Sequence, residues 1–157
     1  MKKVLIVLAL LALVIVPVAA ENVAAIGGEA GYPASGVTLN YNIDKKWDGY
    51  VTLGVWYGHG FEAVAGMQFR VGGFNIEKAE FDINLGLQAG AVIGRDYLKV
   101  IAAGTGSISW DFSIEKTDWT LYLRLGAGAG ILVKGGEEGK VTAGFDMTGA
   151  LGLVYHL

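Results

Sequence analysis

From Val23 onward, apolar and polar positions alternate with a period of two. Residues 51–57 read Val-Thr-Leu-Gly-Val-Trp-Tyr, with Val51, Leu53, Val55 and Tyr57 on one face and Thr52, Gly54 and Trp56 on the other. Residues 81–91 set Phe81, Ile83, Leu85, Leu87, Ala89 and Ala91 against Asp82, Asn84, Gly86, Gln88 and Gly90. Residues 119–131 set Trp119, Leu121, Leu123, Leu125, Ala127, Ala129 and Ile131 against Tyr122, Arg124 and three glycines. Residues i and i+2 share a face in a strand, so these are half-apolar strands, and no window carries the 3.6 period of an amphipathic helix. The pattern predicts eight strands, over residues 23–32, 37–43, 50–57, 61–71, 81–93, 97–114, 119–133 and 141–157. Turn formers fill most of the connections, such as Pro33 to Gly36, Asp44 to Gly49 and Lys134 to Gly139. Ala103-Gly104-Thr105-Gly106 has the composition of a turn that would split the sixth strand. Yet Val100, Ala102, Ile108, Trp110, Phe112 and Ile114 keep one parity across it, so the segment reads as one strand.

The first twenty residues follow a different rule. Lys2 and Lys3 precede an unbroken apolar run from Val4 to Val16, followed by Pro17 and by Val18 and Ala20 ahead of Glu21. A basic start, an apolar middle and small residues at the cleavage positions make a secretory signal peptide, and residues 21–157 the mature domain. The alternative is an uncleaved helical anchor. Its seventeen residues from Val4 to Ala20 lie at the lower limit for spanning, and Pro17 would break its end.

Alternation alone fits a soluble or a membrane barrel. Composition separates them. The 157-residue chain is 53% hydrophobic but only 17% charged, with 25 Gly and no Cys. Soluble domains carry about 25% charged residues. Removing residues 1–20 takes away Lys2 and Lys3 and no acid, moving the formal net charge from −3 to −5. That balance gives no reason to expect nucleic acid, and the lack of Cys excludes a disulfide framework or a Cys-based metal site. The polar face of the long strands is rich in Gly, Ser, Thr, Asn and Gln, which suits the crowded interior of an eight-stranded barrel. The other face is large, apolar and nearly uninterrupted, which suits lipid. The fold class expected is therefore an all-β, eight-stranded, antiparallel up-and-down transmembrane β-barrel. With the N-terminus at the periplasmic side, Phe69, Phe81, Trp110, Phe112, Trp119 and Tyr155 form an outward band near that end. Tyr32, Tyr57, Phe61 and Tyr97 gather near the other, and together the two bands make an interfacial aromatic girdle.

The chain ends in Gly-Leu-Val-Tyr-His-Leu, with Leu153, Tyr155 and Leu157 on one parity. This terminus resembles the strand by which outer-membrane barrels are recognised for assembly, although Phe is the commoner last residue there. With the strand pattern over residues 22–157, the chain resembles small eight-stranded outer-membrane barrels such as the OmpA transmembrane domain and the OmpX-like proteins. The resemblance implies export to the outer membrane, contact with outer-membrane lipid, and recognition by the barrel-assembly machinery through the C-terminal strand.

The inward parity collects Glu29, Glu62, Arg70, Asp82, Lys99, Asp111, Tyr122, Arg124, Asp146 and His156. A charge stranded in low dielectric costs several kcal/mol, so these residues are expected to pair as a polar plug in the periplasmic half. Arg70 with Asp82, and Asp111 with Arg124, are the pairs expected. The bland account of the cluster is structural filling. The functional one is an ion or proton path. No catalytic residue, cofactor or metal ligand set stands out. His59, between Gly58 and Gly60, would centre a lipid-modifying enzyme but has no serine near it in sequence. Residues 126–130 are not a phosphate loop, because no helix follows them. Glu137 and Glu138 read as a solvated turn. The function expected is a structural or envelope-integrity role without an open pore. The alternatives are a lipid-modifying enzyme, a narrow channel, or a secreted soluble β-barrel holding an apolar ligand.

Overall fold

The computed structural model describes residues 23–44, 46–56, 60–135 and 140–157. Expectations for residues 1–20, Tyr57, His59, Glu137 and Glu138 lie outside those residues. The described residues form eight strands and no helix: β1 (Val23–Tyr32), β2 (Gly36–Asn42), β3 (Trp47–Trp56), β4 (Gly60–Ile76), β5 (Ala79–Gly94), β6 (Tyr97–Ile114), β7 (Thr117–Lys134) and β8 (Lys140–His156). Each pairs antiparallel with its sequence neighbours, and β8 pairs with β1 to close the ring. β6 runs unbroken through residues 103–106, paired on both sides.

The strands are sheared. From Glu29 the pairing path leads through Gly36, Gly54, Glu62, Val92, Lys99 and Leu132 to Thr142 on β8. Yet Glu29 itself meets β8 through Gly152. That offset tilts the strands and closes a narrow barrel whose interior side chains can fill.

Two strand limits differ from the alternation. β4 continues to Ile76 instead of stopping at Val71, because the register shifts between Arg70 and Gly72. The extra residue flips the parity, so Phe74 and Ile76 share the outer face with Phe69 although their numbers are even. β3 starts at Trp47 instead of Tyr50. The Asp44 carboxylate accepts the backbone N–H groups of Lys46 (2.7 Å) and Trp47 (3.0 Å), closing the turn early. At the same end, Glu115 (φ 51°) and Lys116 (φ 71°) make the tight turn between β6 and β7 with both central residues left-handed.

Every charged side chain in the described strands sits at an inward position. The outward positions are Ile, Leu, Val, Ala, Met, Gly and aromatic residues, with Thr117 at the rim. The connection between β1 and β2 also turns inward. Pro33 and Ala34 are buried, and Ala34 packs with Tyr50 and Val64.

Candidate functional site: the lumen and its open end

The centre of the lumen is held by one ion pair. Arg124 Nη2 lies 2.7 Å from Glu29 Oε2, and their side chains are 5% and 1% exposed. The Tyr122 hydroxyl donates to the same carboxylate at 2.5 Å. The guanidinium lies 3.7 Å from the Tyr50 ring centroid, and the Tyr50 hydroxyl donates to Gln88 at 2.9 Å. Thr52 donates to Thr38 beside them. The two rings need room, and glycines supply it. A Cβ at Gly66 would enter the Tyr50 ring, and one at Gly152 the Tyr122 ring. Tyrosine opposite glycine across neighbouring strands therefore fills the barrel from wall to wall.

Above this layer, Glu62 is fully buried and accepts the backbone N–H of Ser35 at 2.9 Å, fixing the inserted β1–β2 connection. Lys99 pairs with Asp146 at 2.6 Å, with its ammonium 5.1 Å from the Tyr32 ring. Below it, at the end where Ala24 and His156 lie, a cavity of about 210 Å³ opens among Asp48, Gln68, Arg70, Asp82, Asn84, Asp111, Thr120 and His156. Arg70 binds Asp82 there at 2.6 Å.

The expected pair of Asp111 with Arg124 does not form. The register sets Asp111 opposite Thr120 and Arg124 opposite Ser107, four residues deeper along β7. Asp111 accepts the Thr120 hydroxyl, and that hydroxyl also lies 2.7 Å from His156 Nε2. The single hydroxyl proton goes to Asp111, so the imidazole is the donor to Thr120. A carboxylate on the hydroxyl, with none on the imidazole, is not the order that activates a nucleophile. Among the described residues, no group of His, Asp and Glu is arranged to hold a metal ion.

The outward aromatic side chains of Trp47, Phe69, Phe74, Phe81, Trp110, Phe112, Trp119 and Tyr155 line the end where this cavity opens. Their ring centroids are 4.7–6.1 Å apart within five pairs, from Trp110–Phe112 at 4.7 Å to Phe81–Trp110 at 6.1 Å. Trp47 and Phe74 were not in the sequence-based set, because the early start of β3 and the β4 bulge were not visible. At the opposite end, Phe61 faces outward and is 44% exposed. Tyr32 instead reaches Lys99 at the lumen rim. Tyr97 has the inward parity and packs where a Gly94 side chain would lie. Those two residues thus depart from the expected outer ring, Tyr32 because its ring folds over the rim to Lys99 and Tyr97 because its position carries the inward parity. On β8, Leu153 and Tyr155 face outward, and the Leu157 N–H donates to the Ala24 carbonyl at 2.9 Å, tying the last residue to β1.

Sequence reasoning placed Gln88 on the inward face but missed Tyr50, Asp48 and Thr120 as lumen members. Their parity with Thr52 and Tyr122 was the available signal. No protein-family model matches this chain, and no curated protein or solved structure matches it.

Proposed function

We propose that the chain is a β-barrel of the outer membrane, exported by a cleaved signal peptide, with a structural role in the envelope and a lumen closed to free passage. The observation that carries this reading is the outer wall, where no described strand places a charge. A wall facing water has no reason to exclude charge from eight strands while keeping Leu87, Leu125, Phe145 and Met147 more than half exposed. Lipid gives that reason: an outward Arg or Lys at mid-bilayer costs about 2–4 kcal/mol. Ring closure pairs the backbone that hydrocarbon would otherwise leave unsatisfied. The aromatic band at one end supports an interfacial position for that end. The Glu29–Arg124–Tyr122–Tyr50 layer supports closure of the lumen, since it leaves side chains where a channel would need water.

The test combines cell fractionation with gel mobility. The reading expects the protein in the outer-membrane fraction, unboiled and boiled samples migrating differently, and no discrete conductance in planar bilayers. Recovery in the soluble periplasmic fraction with one mobility overturns the membrane reading. Regular single-channel steps overturn closure of the lumen.

A further inference from the structure

The wall is not equally tall around the ring. β3 stops at Trp47, opposite Phe69, and among the described residues the turn before it is joined to β4 by the bond from Arg70 N–H to Lys46 C=O (3.3 Å). β4 continues down to Ile76, exposed from Arg70 onward and paired on its other side with β5. Four strands, β4 to β7, thus project below the level of the Trp47–Phe69 pair as a small sheet, and no described strand covers its β4 edge. The turn at Glu77–Lys78 makes Ile76 and Ala79 a hydrogen-bonded pair. Counting back by twos, the N–H and C=O groups of Gly73 and Asn75 point away from β5 to the open side. An uncovered edge with unpaired donors and acceptors is a template for another strand.

The inner face beside this edge is acidic. Glu80 and Asp82 lie on β5, Asp111 on β6, Asp118 on β7 and Asp48 across the opening. Among the described residues, the basic side chains lining the same space are Arg70, which is bound to Asp82, Lys46 and His156. On that face Gly73 lies opposite Asp82 and Asn75 opposite Glu80. Gly73 has no side chain to stop a long one from reaching Asp82.

We infer that this edge receives an extended basic segment of a periplasmic protein. The segment pairs its backbone with Gly73 and Asn75, and alternate Lys or Arg side chains cross Gly73 to Asp82 and pass Asn75 to Glu80. The edge supplies the backbone bonds, and charge complementarity supplies the choice of partner. The inference rests on the reading above for the periplasm that supplies the partner, and it needs the sheet end in water.

The test uses the mature chain refolded in detergent micelles and a fluorescent eight-residue peptide of alternating Lys and Val, read by anisotropy. Two control peptides replace every Lys by Glu, or carry N-methyl groups on alternate backbone nitrogens, which removes edge donors and keeps charge. Saturable binding of the Lys peptide is expected. The N-methylated peptide should bind at least tenfold more weakly and the Glu peptide not measurably. Glu80→Gln should weaken binding severalfold, and added salt should do the same. Gly73→Pro, checked for unchanged unboiled mobility, should abolish the preference for the unmethylated peptide. The N-methylated peptide decides the matter on unaltered protein if that variant does not fold. Absence of saturable binding overturns the inference, as does equal binding of the methylated peptide, which would mean charge attraction alone. Sedimentation of the peptide-free protein as a dimer that Gly73→Pro dissociates also overturns it, since a second copy would then occupy the edge.

Discussion

Arg124→Met is expected to destabilise the barrel more than any single substitution on its outer turns. The guanidinium is nearly fully buried, paired to a carboxylate that is itself 1% exposed, and stacked 3.7 Å from Tyr50. Methionine keeps much of the length but leaves Glu29 with only the Tyr122 hydroxyl for a partner. Removing one member of a buried pair costs about 3–5 kcal/mol, chiefly because the other charge is stranded. With a urea dependence of about 2 kcal/mol per molar, the unfolding midpoint should fall by roughly 1.5–2.5 M. The double variant Glu29→Gln, Arg124→Met removes the stranded charge and should recover more than half of that loss. The assay is urea unfolding of the refolded protein in lipid vesicles, followed by tryptophan fluorescence and by unboiled gel mobility. A single variant within about 0.5 M of the parent would refute the reasoning. So would a double variant no more stable than the single one, because the cost would then not come from an uncompensated charge.

Other outcomes follow from the same wall and lumen. Leu123→Arg, on the outer face, should lose about 2–4 kcal/mol in vesicles, measured by the same unfolding, whereas a soluble barrel would barely register an exposed Arg there. Gly152→Ala forces a methyl group into the Tyr122 ring and should cost about 1–3 kcal/mol. By contrast, Gly104→Ala meets nothing within 4 Å and should be neutral or mildly stabilising. Deleting residues 155–157 removes the Trp119–Tyr155 ring pair and the Leu157–Ala24 bond, and should deplete the protein from the outer-membrane fraction. Normal abundance of the truncated chain there would count against an assembly role for the C-terminal strand.

Much of the ring was legible because a period of two leaves little freedom. Once Trp119 to Ile131 alternate with Tyr122 and Arg124, a single register places each of them, and the continuity of β6 through its glycines followed from parity. What failed was local. A bulge inserts one residue and reverses the parity, so the alternation stopped at Val71 although the strand did not. The partner of Arg124 depended on where β1 closes onto β8, a contact between residues 95 apart in sequence. Asp111 looked nearer because it flanks the same turn. The inward fold of Pro33 and Ala34 was unreadable for a different reason. Small residues in a short connection satisfy a surface turn equally well, and only the Glu62 carboxylate waiting for the Ser35 N–H decides for the interior.

The central claim is that the outward parity meets lipid. Because the chain has no cysteine, single cysteines can be introduced along β7 from Thr120 to Gly128 and spin-labelled in the refolded, vesicle-bound protein. The account expects alternation along the strand. Labels at positions 121, 123, 125 and 127 should be relaxed by oxygen dissolved in the bilayer and shielded from a water-soluble nickel chelate, and labels at 120, 122, 124, 126 and 128 should be largely shielded from oxygen. Ready collision of the odd-numbered labels with the nickel chelate would contradict it and place that wall in water.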